Sequence, residues 1–471
     1  MPTHFANGDS DSRLALWQRV REFAVPPPMI ETATTRRRAG DWAGACAAAA
    51  IDVDLDLRSV ARTHGQSLAS TIRADLRQLA PDLLRWHMPR IAPDGLLRPG
   101  LTLTLARYDA AGRGGARPVH LVVRTPPAWA DGGQRISLAL WDGSGPDAGT
   151  ARHPHPRPSR RFRLDLHRHL WDARRTGELR VRSGADLPPA HPDAPGASAQ
   201  DHHWAVDRWA AEAGILLRAA GGWTQDARTR TVVVRVGAGQ RLALELELDG
   251  EADGAAPPAL RNVATPAGGA AAALPVLPDA ATWVPPDLEL LRAGAIEAGR
   301  LHPLVAPALV AGGRVAAVPP PSPGPAAGPR IVDCRGARHR LDLVGGVLAA
   351  LDHDPDEIRR EELLAALTGT PLPCLQVIDE AHRRPECLPG IRERLNHGDT
   401  AGALAVVEAL LGPGARLRDG ALRDDLEAAA LRRVAHGMFR AGLDEPAPGR
   451  VCPDRHRPRT GRFRPRHGAF D

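Results

Sequence analysis

Two stretches of the chain concentrate side chains able to hold phosphate. Arg157, Arg160, Arg161, Arg163 and Arg168 crowd one of them, with Arg174 and Arg175 just beyond. Arg455, Arg457, Arg459, Arg462, Arg464 and Arg466 crowd the other, with Phe463 and His467 interleaved. A guanidinium fork binds phosphate through paired donors, and its plane stacks on a base. Both stretches are candidates for salt-sensitive, sequence-independent nucleic-acid binding. Three carboxylates, Asp52, Asp54 and Asp56, alternate with apolar residues, which places them on one face of a short strand. Such a face can hold Mg²⁺ or Ca²⁺, but no closing glycine or calcium-loop glutamate accompanies it, so a solvated face is expected. Asp352, Asp354, Asp356 and Glu357 form a second acidic group. It reads as a helix start, with Asp354 as N-cap, Pro355 at the first helical position and Glu357 reaching back. His153 and His155, His167 and His169, and His202 and His203 are possible metal ligands. Helical residues two apart point apart, so His167 and His169 are not expected to share an ion. Cys374, His382 and Cys387 lack a second pair to complete a tetrahedral zinc set.

Several chemistries are excluded by composition. All 61 basic residues are arginine. Without lysine there is no phosphate-loop lysine, no Schiff base and no lysine general base. Val377-Ile378-Asp379-Glu380-Ala381-His382 resembles the DEAH box of helicase-type ATPases. That box needs a phosphate loop upstream and a buried strand before it. Here Leu375, Ile378 and Ala381 recur at helical spacing after Pro373, which predicts a helix instead. Asp142-Gly143-Ser144-Gly145 lacks the spacing of a nucleophile elbow. Gly237-Ala238-Gly239 joins two strand patterns rather than a strand and a helix, so it is no dinucleotide fingerprint. No catalytic residue, cofactor or metal is therefore expected.

A chain of 471 residues divides into two or three domains. Its net charge of +6 is spread over a mixture of arginine and acid, which describes a solvated surface more than a binding stripe. Five scattered cysteines make no disulfide framework. The apolar stretch from Leu301 to Val318 is broken by Pro303, Pro307 and Arg314, too often to cross a bilayer. A cytoplasmic protein with no membrane partner is expected.

The elements that must position these residues follow from periodicity. Residues 1–94 read as helical, with runs at 11–25, 30–50 and 60–86. Residues 95–250 read as an antiparallel-meander α+β domain: Leu101, Leu103 and Leu105, then Val119, Leu121 and Val123, then Ile136, Leu138 and Leu140, alternate with polar residues. Helical stretches are expected at 159–176 and 200–220, with a hairpin at 231–248. Residues 251–330 are dominated by Ala, Gly and Pro and read as a linker with one short helix near 286–300. Residues 331–443 read as a β-hairpin followed by five helices, and 444–471 as a disordered Arg- and Pro-rich tail. The fold class is α+β, multidomain.

Gly40-Asp41-Trp42-Ala43-Gly44-Ala45 is echoed by Gly398-Asp399-Thr400-Ala401-Gly402-Ala403. Gly can close one helix in the left-handed conformation, and Asp can cap the next. The turn resembles the one between the two helices of tetratricopeptide-like hairpins, over about one hairpin at each end. The rest of the roughly 34-residue pattern is missing, so an ordinary helical hairpin is expected at each place.

These readings point to a non-enzymatic interaction or adaptor protein with helical-hairpin ends and an unidentified protein partner. The alternative is a nucleic-acid-binding protein that uses the 152–175 segment and the tail. Under that alternative, deleting residues 444–471 weakens binding to mixed-sequence DNA or RNA and flattens its dependence on salt, as read by fluorescence polarisation at two ionic strengths. Unchanged affinity and slope after deletion would remove the tail from the account.

Overall fold

A computed structural model describes residues 10–109, 117–143, 153–187, 203–221, 229–236, 240–247, 258–265, 273–310, 330–334, 336–369, 371–383 and 385–443. The fold is α+β and multidomain. Among the described residues, no helix is long and apolar enough to cross a membrane.

The chain opens with α1 (Ser10–Arg19), which widens into one looser turn at Val20–Ala24. Pro27 and Pro28 then start α2 (Pro27–Arg38), where a missing N–H costs nothing. Next come α3 (Trp42–Ala48), β1 (Ile51–Val53), α4 (Leu57–His64), α5 (Gln66–Gln78) and α6 (Pro81–Trp86). The single helix expected over 60–86 is thus three. Gly65, at φ +96°, breaks the first boundary and Pro81 opens the last helix.

A two-stranded ribbon, β2 (Arg90–Ile91) and β3 (Leu96–Leu97), leads to the meander β4 (Thr102–Tyr108), β5 (Val119–Arg124) and β6 (Ile136–Trp141). β1 adds to this sheet parallel to β6, giving the order β1-β6-β5-β4. One core joins the sheet to the helices before it: Trp17, Ile72, Leu76, Leu83 and Trp86 pack with Leu103, Leu121, Val123 and Leu138. The core therefore runs across the boundary expected at residue 95.

The stretch 159–176 is not a helix. It forms separate tight turns at Leu164–Leu166, Arg168–Leu170 and Thr176–Glu178. Its backbone is claimed by another segment: Ala80 donates to Trp171 O at 2.8 Å and Ala173 donates to Gln78 O at 2.9 Å. Those bonds replace helical ones. Beyond it lie α7 (Leu179–Ser183), α8 (Val206–Ala219) and the sheet of β7 (Thr229–Arg235), β8 (Arg241–Glu247) and β9 (Ala259–Ala264). β7 and β8 share a separate core with α8 through Val232, Val234, Leu244, Leu246, Trp209 and Leu217.

Residues 273–310 are packed structure, which corrects the linker expected there. They carry α9 (Asp279–Thr282), α10 (Pro286–Arg292) and α11 (Ala306–Leu309). Glu289 accepts from buried Arg13 Nε at 2.7 Å, Asp287 accepts from Trp86 Nε1 at 2.7 Å, and Asp82 pairs with His302 at 2.7 Å. Alanine and proline content signalled flexibility, but three buried polar side chains, each paired with a partner more than two hundred positions away, hold the segment down. The Pro-rich run at 319–325 lies outside the described residues.

The last unit is a three-stranded antiparallel sheet, β10 (Arg330–Cys334), β11 (Ala337–Val344) and β12 (Val347–Ala350). Five helices follow: α12 (Pro355–Thr368), α13 (Pro373–Arg383), α14 (Leu388–His397), α15 (Thr400–Leu411) and α16 (Ala421–Ala441). Leu341, Leu375, Ile378, Ile391, Leu395 and Leu422 form its core. The tail expected at 444–471 lies outside the described residues.

Both Gly-Asp turns are built alike. Gly40 and Gly398 sit at φ +78° and +86°. Asp41 accepts from Gly44 N at 2.8 Å, and Asp399 accepts from Gly402 N at 2.9 Å. An arginine five residues earlier, Arg36 or Arg394, pairs with each aspartate at 3.2 or 2.7 Å. Their surroundings differ. A Cβ on Gly40 would meet nothing, whereas one on Gly398 would collide with the carbonyl oxygen of Gly133. Gly40→Ala is expected to cost about 1 kcal/mol, the left-handed penalty alone. Gly398→Ala is expected to cost about 3 kcal/mol, because overpacking adds to that penalty. Urea unfolding of the two variants followed by circular dichroism checks the difference; equal shifts would mean that the Gly133–Gly398 approach carries no weight.

Candidate functional site

The close approach of Gly133 and Gly398 marks a joint where the C-terminal helices meet the N-terminal core. Its centre is Arg85 on α6, fully buried. Nε donates to Ala24 O at 3.0 Å, Nη1 to Gln134 O at 2.6 Å and Nη2 to His397 O at 3.0 Å. Arg90, also buried, supports it from below by donating Nη2 to Arg85 O at 2.7 Å and Nη1 to Gly95 O at 2.8 Å. Burial, with a smaller effect of the Arg135 charge, pushes the Arg85 guanidinium down to about 10. It stays charged at neutral pH, so the carbonyl ring stabilises a cation away from water.

A charged cluster lies along the same joint. Asp52 on β1 accepts from both arms of Arg135, from Arg440 at 2.6 Å and from His436 Nε2 at 3.2 Å. His436 is oriented by Ala130 O, 2.8 Å from Nδ1. Arg440 also reaches Asp54. Burial alone would raise the Asp52 carboxyl, but the His436, Arg135 and Arg440 bonds outweigh it and hold it well below the usual carboxylate range. Trp129 meets Phe439 edge-on at 5.5 Å, and Phe23 stacks on His397 at 6.3 Å.

Of the three aspartates of the alternating run, Asp54 and Asp56 are exposed as expected, but only Asp52 lies within the strand, and it is half-buried. Asp52 and Asp54 clamp α16, and Asp56 caps α4 by accepting from Arg58 N and Ser59 N at 3.1 and 3.0 Å. The signal for this was outside the run, in the arginines of α16.

Two recesses flank the joint. One, of about 340 Å³, lies between the two Gly-Asp hairpins and is walled by Met29, Thr32, Ala47, Gly133, Asp399 and Ala401. The other, about 410 Å³, is lined by Asp52, Val53, Arg135, Arg433, His436 and Arg440. Its acidic group, Asp52, is already held by Arg135, Arg440 and His436. Neither lining places a hydroxyl or thiol against a histidine, as nucleophilic catalysis would need.

Among the described residues, three of the arginines singled out by sequence are paired with acids of the chain. Arg161 is bound by both oxygens of Asp279 at 2.7 Å. Arg163 forks onto Asp165 at 2.8 and 2.7 Å. Arg168 joins Asp75 at 2.5 Å and Asp172 at 2.9 Å, and stacks on Trp171 at 4.7 Å. Their forks bind carboxylates of the chain itself. Arg157 and Arg160 are exposed. Arg455, Arg457, Arg459, Arg462, Arg464 and Arg466 lie outside the described residues. His167 and His169 are buried with their rings 5.8 Å apart, and His167 faces Glu212 at 3.1 Å. Asp379 and Glu380 sit on α13, with Ile378 and Ala381 buried, as the helical spacing required. Asp354 caps α12 by accepting from Asp356 N at 3.0 Å. Cys374, His382 and Cys387 do not come together. Among the described residues, the one set with metal-ligand geometry is Cys334, His353 and Cys374.

Comparison with protein-family models, curated proteins and solved structures finds no match.

The joint has a pH dependence. Burial, followed by the Arg90 and Arg85 charges, pushes His397 down to about 3. Burial does the same to His87, also to about 3. An unfolded histidine titrates near 6.5. The folded protein thus keeps these rings neutral where the unfolded chain takes up protons. Their contribution is complete above about pH 6.5 and declines as pH falls toward 3. Asp52 holds its own contribution through this window, since it is lost only in stronger acid. The unfolding temperature is expected to drop steadily between pH 7 and 4.5, and less steeply in His397→Gln. An identical slope in the variant would exclude His397 as a source.

Proposed function

We propose that this chain is a non-enzymatic interaction protein whose C-terminal unit presents α12 to a protein partner. One observation carries the reading. α12 spans 14 residues and buries none of them. Leu363, Leu364 and Leu367 stand 63%, 48% and 86% exposed on it. An isolated helix of that length is marginal in water, because nucleation is unfavourable and propagation adds little per residue. A helix that buries no face of its own gains stability by burying one on something else. Leu363 and Leu367 are one turn apart, the spacing by which a helix seats its anchors in an apolar groove. Arg359, Arg360, Glu361 and Glu362 precede them and can form a polar rim of mixed sign.

The joint supports this reading by a different route. It ties the C-terminal unit to the core through a buried cation and paired charges, which suits a rigid platform more than a reacting site. The nucleic-acid alternative draws no support from Arg161, Arg163 and Arg168, whose forks are occupied.

The test replaces Leu363 and Leu367 together with glutamate. Both are exposed, so the fold is expected to survive, as circular dichroism and unfolding temperature can verify. Proteins recovered from the native host with the wild-type chain and with the double variant are compared by quantitative mass spectrometry after nuclease treatment. At least one protein enriched with wild type is expected to fall more than tenfold with the variant. Equal recovery of every protein from both would overturn the proposal.

A further inference from the structure

We infer that Cys334, His353 and Cys374 form a binding site for a zinc ion, with the fourth position open to water. Their ligand atoms already lie within 4.8 Å of one another. A tetrahedral zinc with bonds of about 2.3 Å to sulfur and 2.0 Å to nitrogen places its ligands roughly 3.5–3.8 Å apart. The set is thus about 1 Å from closure before any ion is present.

Three elements converge to build it. Cys334 ends β10, His353 sits in the turn after β12, and Cys374 is the second residue of α13. Both cysteines are fully buried. The His353 side chain is only 5% exposed, and its Nδ1 is 3.6 Å from Glu357 Oε2. Its Nε2 is buried and has no hydrogen-bond partner among the described residues. A buried ring nitrogen without a partner is costly, and a metal would satisfy it. At 3.6 Å Glu357 is not hydrogen-bonded to Nδ1, but it lies a small shift from the carboxylate support that a zinc-bound histidine usually has. His339 stacks on His353 with centroids 3.9 Å apart and planes at 15°. Parallel rings cannot aim their nitrogens at one ion, so His339 buttresses the ligand rather than adding one.

The charge count suits burial. Binding Zn²⁺ removes one proton from each thiol, so two thiolates and a neutral imidazole leave the site without net charge. Without metal, burial and then the neighbouring Cys334 thiol raise Cys374 to about 11, which keeps its sulfur protonated at neutral pH. The start of α13 favours the thiolate once the ion supplies its charge. Thiolate with imidazole selects zinc or a similar thiophilic divalent ion over Mg²⁺ or Ca²⁺. Cys46 is a useful contrast: it is a single buried thiol in the N-terminal core, pushed up to about 12 by burial and then by Asp41. The site also has a structural consequence. His353 lies two residues before the first residue of α12, so the ion would fasten the base of that helix to β10 and α13.

The experiment uses the full-length chain, purified without chelator and without a polyhistidine tag. Metal content is measured by plasma mass spectrometry, and free thiols are counted in denaturant with and without reductant. About one zinc per chain is expected, falling at least fivefold in Cys334→Ser and Cys374→Ser and unchanged in Cys46→Ser. Wild-type protein stripped and reloaded with Co²⁺ is expected to show thiolate-to-cobalt charge transfer and the strong visible bands of four-coordinate cobalt. This readout needs no variant to fold. Two outcomes would overturn the inference: a Cys334–Cys374 disulfide, seen as two thiols released only by reductant, or wild-type protein that takes up neither ion with both thiols free. The Leu363 and Leu367 test does not depend on metal, so the two proposals can fail separately.

Discussion

One buried guanidinium organises this molecule. Among the described residues Arg85 has no carboxylate against it, and its charge is dispersed over the carbonyls of Ala24, Gln134 and His397. Those carbonyls come from three segments distant in the chain: the end of the first helix, the loop before β6, and the end of α14. Placing a cation away from water is costly unless its donors are satisfied. Each of the three segments must therefore be in place for the others to be stable. Lysine could not substitute, because its ammonium is a point charge without a planar fork of five donors. The arginine-only composition, however it arose, is put to structural use here.

The Gly133–Gly398 approach is the geometric counterpart of that constraint. Two backbones can pass this closely only where neither carries a Cβ. His436 lies against Gly132 in the same way. With the backbones set, α16 brings His436 and Arg440 over β1, and Asp52 and Asp54 receive them. The joint is then a chain of dependencies: a buried cation fixes the carbonyls, glycines permit the approach, and the charged pairs fix the angle of α16.

Within the C-terminal unit, packing is uneven. α13, α14 and α15 bury apolar faces, whereas α12 buries no residue. The Cys334–His353–Cys374 cluster lies at the foot of that exposed helix. A partner surface on α12 and an ion at its base are separate proposals, but they concern one piece of the structure, the piece with least support from its own core.

Local features could be read from the chain. The caps at Asp354, Asp41 and Asp399, the helical frame of Ile378 and Ala381, and the presence of strands at β4, β5, β6 and β8 depend on residues within a few positions of one another, although β4 and β5 bury both faces rather than one. Side-chain period and capping geometry are local physics, so the residues themselves determine them. Long-range pairing decided the rest. Asp279 occupies the Arg161 fork from 118 positions away and Asp75 the Arg168 fork from 93, so several arginines of a segment that looked basic are neutralised from within the chain. Residues 273–310 looked like a linker because their composition is small and proline-rich, yet Asp287 and Glu289 meet Trp86 and Arg13. The thiol–imidazole cluster had no short motif to reveal it, since its ligands come from a strand end, a turn and a helix start. Local spacing was enough for the helix caps, the strands of the central sheet and the chemistries that a lysine-free chain cannot perform, but not for the turns at 164–178 or the helices of 273–310. Only the tertiary structure decided which charges are spent on each other, which thiols meet and which helix is left uncovered, because those depend on distances between segments that no local spacing encodes.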